Sequence, residues 1–205
     1  TIPGFLDDYA LMIEALIKLY EVTSEMHYLE TAQTLTEEVF NQFYNHKNKM
    51  FAYKSHYDRP LVNEKFEIYD NVISSSNSVM ANNLFKLGKI LNQEKYIEQA
   101  KQMLTNIEEK IHDYPTGFAN WIQLYLNFAY PFKEIVIIGE NALEFSKQIQ
   151  QCYVPNAIFV ASKTENLEIT QNRFIENKTS IHICENYTCQ LPVYSVEEAF
   201  RNLSL

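Results

Sequence analysis

Apolar side chains recur at helical spacing from the start of the chain. Leu11, Ala15, Leu16 and Leu19 mark residues 5–21, and Leu29, Ala32, Leu35, Val39, Phe40 and Phe43 mark 26–45. Returns every three or four residues predict two amphipathic helices. The pattern comes back over 75–92 (Val79, Met80, Leu84, Leu87, Leu91) and over 94–112 (Ile97, Ala100, Leu104, Ile107, Ile111), where Pro115 ends it. A fifth helix is predicted from about Thr116 to Tyr130, closed by Pro131. Between the second and third helices, the polar run NHKNKMFAYKSHYDRPLVNEKFEIYDN carries short aromatic pieces and suits a hairpin or an extended strap.

Past Pro131 the period changes. EIVIIG (134–139), AIFVAS (157–162) and SIHICE (180–185) read as short buried strands, with a helix at about 141–151 between the first two. Ser195 with Glu198 opens a last helix as a capping box. Strand, helix, strand implies a right-handed crossover and a small, mostly parallel sheet. Three strands cannot cover both faces alone, so residues 132–205 are expected to form a small α/β module packed on the helical region, 1–131. The helices also repeat: Leu16-Ile17-Lys18-Leu19 matches Leu84-Phe85-Lys86-Leu87, and Tyr28-Leu29-Glu30 matches Tyr96-Ile97-Glu98, both at an offset of 68 residues. Two hairpins and half of a third are therefore expected, as an open solenoid or a closed toroid, with the first, third and fifth helices in one layer.

Composition narrows the function classes. A net charge of -9 with no basic cluster argues against nucleic acid as a partner. No apolar run reaches the roughly 20 residues of a membrane span. Three cysteines do not make a secreted disulfide framework, and a cytoplasmic, intracellular setting is expected. Five scattered histidines without ligand spacing and the absence of GxGxxG predict neither a metal nor a cofactor.

Candidate chemistry gathers at helix starts. At the repeat offset, Asp7, Asp8 and Tyr9 fall in register with Ser75, Ser76 and Asn77. Such side chains cap free backbone N–H groups, which predicts a cost of about 1 kcal/mol for Asp8→Ala or Asn77→Ala. Opening on one face, they would also line a mouth for a small polar ligand. Asp70 and Asn71 precede the second triplet. Trp121 starts the fifth helix, where it serves as a core aromatic or stacks on a sugar ring. Paired carboxylates serve glycoside chemistry, but adjacent Asp7 and Asp8 diverge on a helix. The redox candidates are Cys184 and Cys189: the first reads as a buried strand residue, the second as exposed, with nothing nearby in sequence to depress a thiol pKa.

The segments GFLDDYALMIEALIKLYEVT, YDNVISSSNSVMANNLFKLGKI and IHICENYTCQLPV, in this order over nearly the whole chain, resemble the C-terminal part of the thioredoxin-domain-containing family of spermatogenesis-associated protein 20. In that family a Pro and a Gly often flank the Ser before Asn-Ser; Ser74 and Ser76 stand here instead, so a role needing glycine freedom does not carry over. The resemblance implies three things. A thioredoxin-like domain precedes this region in full-length members. The region resembles part of the six-hairpin (α/α) toroid of glycosidases and sugar epimerases. Its recurrent positions correspond to Asp8, Tyr9, Asp70, Ser75, Asn77, Cys184 and Cys189, with no catalytic role assigned to any of them.

The expected fold class is thus mainly α: repeated helical hairpins of an incomplete (α/α) toroid followed by the small α/β module. Two functions compete. One is a carbohydrate-binding or carbohydrate-processing toroid, with Asp8, Tyr9, Asp70, Ser76, Asn77 and Trp121 at the site. The other is a redox-linked interaction or scaffold domain serving the thioredoxin-like domain of the same full-length chain. A truncated toroid edge would expose apolar surface and favour a homodimer. Enzymatic activity is left open.

Overall fold

Helix α1 (Leu6–Thr23) turns Leu6, Ala10, Ile13, Ile17 and Tyr20 to the interior at three- and four-residue steps, and it ends at Ser24, whose positive φ closes an N–H bond onto the Tyr20 carbonyl. Helix α2 (Met26–Phe43) buries Leu29, Ala32, Thr36, Val39 and Phe43 against it. A second antiparallel pair follows, α3 (Ser76–Leu91) with α4 (Glu94–Thr105). The first and third helices pack on each other, and α6 (Ala119–Ala129) packs on α3. The structure is a computed structural model, and it describes residues 4–58, 64–186 and 188–203.

The single helix expected over 94–112 is two. Asn106 donates its amide to the Asn48 carbonyl (2.9 Å) and the helix breaks there, which drops Ile107 into the core. The remainder, α5 (Glu108–Asp113), buries nothing. The polar run after α2 is both of the things it suited. Strands β1 (Tyr44–Asn45) and β2 (Met50–Phe51) pair as a tight antiparallel hairpin, and residues 64–75 form an irregular strap.

The sheet corrects one expectation. Strands β3 (Lys133–Ile138) and β4 (Ala157–Ser162) are parallel, joined through α7 (Ala142–Gln150) as the crossover rule requires. Strand β5 (Ser180–Glu185), however, runs antiparallel to β3, and β6 (Thr188–Cys189) antiparallel to β5, in the order β4-β3-β5-β6. The sheet is mixed, not mostly parallel. No crossover helix lies between β4 and β5. The connection stays at one end of the sheet, so the chain enters β5 beside the end of β3, at Ile138↔Ser180. Gly139 makes this passage possible: its φ is +130°, and a Cβ there would meet the Lys178 carbonyl at 2.5 Å. The turn after Gly139 is filled by the chain itself, with Asn141 N–H donating to the Thr179 hydroxyl.

Alternation along the strands separates two faces. Ile135, Ile137, Phe159, Ala161, Ile181 and Ile183 pack under α7 and α8 (Val196–Leu203). Val136, Ile158 and Val160 join the core of the helical hairpins instead. Polar contacts cross this joint, among them Gln150 Nε2 donating to the Glu21 carbonyl and Asn92 Nδ2 to Glu168. Glu21 of α1, 4% exposed, accepts from the Phe159 N–H on the outer edge of β4, which satisfies an edge-strand donor. Lys89 of α3 and Glu134 of β3 form a buried ion pair at 2.9 Å. On the far side of α1, Leu11, Met12, Leu19 and Val22 are exposed along one stripe. No helix among the described residues is long and apolar enough to cross a membrane.

Candidate functional site

The N-terminal ends of α1, α3 and α6 do open on one face, but their free N–H groups are consumed by the protein. Leu6 N–H donates to the Tyr53 carbonyl and Asn77 N–H to the Glu67 carbonyl. Asp70 does most of the work. One carboxylate oxygen accepts from Ser75 N–H (2.9 Å) and the Ser78 hydroxyl (2.6 Å), and the other from Asn120 N–H (2.8 Å). A single carboxylate therefore caps two helices, where it also meets the positive ends of both macrodipoles. Ser75 is the N-cap residue of α3, accepting from Ser78 N–H.

Asp8 is exposed and accepts from its own Phe5 N–H at 2.8 Å, a local cap. Tyr9 is half-buried, its ring edge-on to Phe43. Ser76 is buried and reaches Glu67 at 3.5 Å. Asn77 has no exposure at all: its Nδ2 donates to the Phe51 carbonyl (2.9 Å) and its Oδ1 accepts from Phe51 N–H (3.0 Å). Trp121 is likewise fully buried, with its indole N–H on the Ile68 carbonyl. Neither side chain faces a ligand. Ser78, Asn82 and Asn83, which the sequence did not single out, join Asn120 at the start of α6 in tying α3 to its neighbours. Asn120 donates to the Ser78 hydroxyl, Asn82 to the Asn120 carbonyl, and Asn83 to the Ala10 carbonyl of α1. Asparagines within an otherwise apolar helix were the available signal, since a buried amide needs partners.

What does stay open at this face is a groove of about 460 Å³ between the strap and the helix entrances, lined by Asp7, Lys65, Glu67, Tyr69 and Asn71 among others. Lys65 pairs with Glu67 at 2.8 Å and lies over the Tyr53 ring. The Tyr53 hydroxyl donates to Asp7, and the ring stacks on Phe5 at 4.9 Å. Burial, and then the negative charge of Asp7 and Glu67, raises the Tyr53 phenol above its ordinary value. Among the described residues, no three potential metal ligands come together.

The two redox candidates are joined. Cys184 on β5 and Cys189 on β6 are direct cross-strand partners and form a disulfide. Cys184 is 1% exposed, whereas Cys189 is exposed. Arg173, from the loop before β5, places Nη1 3.1 Å from Cys184 Sγ. That cation answers the expectation that nothing nearby could influence the thiols. On the same strand, His182 is held below its ordinary value of 6.5, first by burial and then by Arg173. A base whose folded pKa is depressed loses stability for the fold as pH drops below the unfolded value, because only the unfolded chain takes the proton. Unfolding free energy should therefore fall as pH drops below 6.5, and His182→Gln should flatten that slope in denaturant titrations at several pH values. An unchanged slope would assign it to other groups.

With this geometry in place, known proteins resolve part of the picture. The chain is similar to spermatogenesis-associated protein 20. The similarity is 26% identity to the protein of Rattus norvegicus and 24% to that of Homo sapiens, each over 93% of this chain and 26% of the relative. An uncharacterized protein of Caenorhabditis elegans is 24% identical over 96% of the chain. The chain spans about a quarter of the length of these relatives. No protein-family profile matches it.

Proposed function

We propose that this chain binds a small polar ligand, of the neutral sugar class, in the groove at the entrances of α1 and α3. The carrying observation is that Asp7, Glu67, Lys65 and Tyr69 all line this one opening. Sugar hydroxyls donate to carboxylates and accept from an ammonium, while the apolar face of a pyranose packs on an aromatic ring. The reading is binding rather than hydrolysis. Glu67 is held in an ion pair with Lys65 at 2.8 Å, and adjacent Asp7 and Asp8 do not present a carboxylate pair to one point. The pair α1/α2 and the pair α3/α4 then count as successive hairpins of an (α/α) toroid. The sequence match at an offset of 68 residues and the side-by-side packing of α1, α3 and α6 support this.

A thermal-shift panel of mono- and disaccharides tests it. A ligand at about ten times its Kd stabilises by about 1.4 kcal/mol, a rise of roughly 3–6 °C for a chain of this size. We expect such a rise with at least one sugar and its loss in Asp7→Asn/Glu67→Gln, two exposed-face changes that leave the caps of α3 and α6 intact. A rise that survives the double variant, or no rise with any sugar, overturns the proposal.

A further inference from the structure

The second site lies at the other end of the molecule and is independent of the groove. The β5–β6 hairpin brings Cys184 and Cys189 opposite each other, and the two residues differ in exposure and in charged neighbour. Cys189 is exposed and Cys184 is 1% exposed. A groove of about 310 Å³ runs along the disulfide between Lys133, Glu185, Thr188 and Gln190, open to an approaching chain. Arg173 stands at Cys184 and not at Cys189. Its Nη1 lies 3.1 Å from Cys184 Sγ, and its own N–H is anchored on Glu165 at 2.8 Å. Guanidinium stays charged at any physiological pH. The carboxylate directly across from Cys184, Glu134, is ion-paired with Lys89, and its charge also acts on Arg173 and favours the charged guanidinium.

We propose that Cys184–Cys189 is a reducible disulfide, attacked at the exposed Cys189 by a partner carrying two thiols, with Cys184 leaving as a thiolate beside Arg173. In the first step the partner's thiolate forms a new S–S bond to Cys189 Sγ, the Cys184–Cys189 bond breaks, and its electron pair goes to Cys184. In the second step the partner's other thiol, losing its proton, attacks its own sulfur in the mixed disulfide. Cys189 leaves and takes up a proton. The partner ends as a disulfide and this chain with both sulfurs reduced, Cys189 as a thiol and Cys184 as a thiolate beside Arg173, the other of the partner's two thiol protons going to solvent. It is a two-electron exchange with no other oxidant or reductant. A nearby cation lowers the pKa of the departing thiol, and a lower leaving-group pKa speeds exchange. Exposure selects the attacked sulfur and Arg173 selects the leaving one.

The experiment uses dithiothreitol as the two-thiol probe on the folded chain, with the exposed free Cys152 replaced by Ser throughout. Thiols are alkylated and mapped by peptide mass spectrometry. We expect reduction without unfolding. We also expect Arg173→Met to slow it about three- to tenfold and to shift the thiol–disulfide equilibrium about tenfold toward the disulfide, equivalent to about 30 mV. Arg173→Lys, which keeps the charge, should recover part of both. In a Cys184→Ser variant, activated aromatic disulfide reagent should label Cys189 rapidly, whereas Cys189→Ser should leave Cys184 slow. Equal rates and equilibria in all three Arg173 forms overturn the role of Arg173. Faster labelling of Cys184 overturns the direction of attack. Free thiols in an oxidising buffer, or a disulfide reduced only on unfolding, overturn the site. None of these results bears on sugar binding at the groove.

Discussion

Asn77→Ala should lower the unfolding free energy by about 3 kcal/mol, well above the roughly 1 kcal/mol that loss of an ordinary helix cap costs. The difference comes from what the side chain holds. In the β1–β2 hairpin the ladder bond runs from Ala52 N–H to the Phe43 carbonyl, so the neighbouring Phe51 directs its own N–H and carbonyl away from β1. Both are taken up by the Asn77 amide, in a region with no access to solvent. Truncation strands a donor and an acceptor at once, at roughly 1–3 kcal/mol for each buried group left unmade. Urea denaturation with linear extrapolation checks the value. Asn77→Asp is the sharper control, since it keeps the shape but cannot donate to the Phe51 carbonyl and brings a charge into the interior. A loss under about 1 kcal/mol for both would mean that water or a shifted strap replaces the amide. By contrast, exposed Asp8 caps only its own Phe5 N–H, and Asp8→Ala should remain near the ordinary cap value.

That contrast also marks how far the residues could be read in advance. Helices α1, α2 and α3 follow from periodicity because the spacing of buried side chains is local information. The same holds for β3 and β4, whose β-branched runs and intervening helix fix a parallel pair. Asn77 was visible as a polar residue at a helix start, but its partner lies 26 positions away on a strand edge, and nothing local distinguishes a cap from a clamp. Asp70 was legible as a polar residue ahead of a helix start and as a ligand candidate. Its hold on both Ser75 and Asn120 exists only because α3 and α6 lie side by side. The direction of β5 was lost for a related reason. Strand pattern gives burial and not orientation, and the deciding feature is the tight passage over Gly139. Cys184 and Cys189 were both named, yet Arg173, the group that sets them apart, is eleven positions upstream of Cys184 in a loop without pattern.

The second large effect is expected at the joint between helices and sheet. Lys89→Met should cost about 3–5 kcal/mol, because it leaves the Glu134 carboxylate, 1% exposed, inside the protein without its ammonium partner. Glu134→Leu should cost a similar amount for the mirror reason. The double variant Lys89→Met/Glu134→Leu should recover most of the loss. A buried pair repays its desolvation only in part, and two apolar side chains of similar volume suit a site bordered by Phe85 and Val136. The coupling energy from this double-mutant cycle is the decisive number. A large coupling means that the two charges were kept for each other and that the joint is an ordinary hydrophobic contact with one satisfied pair set in it. Additive losses would mean that each charge has its own structural task, with Glu134 facing Cys184 across β5 and Lys89 holding the end of α3. In that case the same variants should also move the thiol–disulfide equilibrium of Cys184 and Cys189, since removing Lys89 alone sets an unbalanced carboxylate across from the departing sulfur.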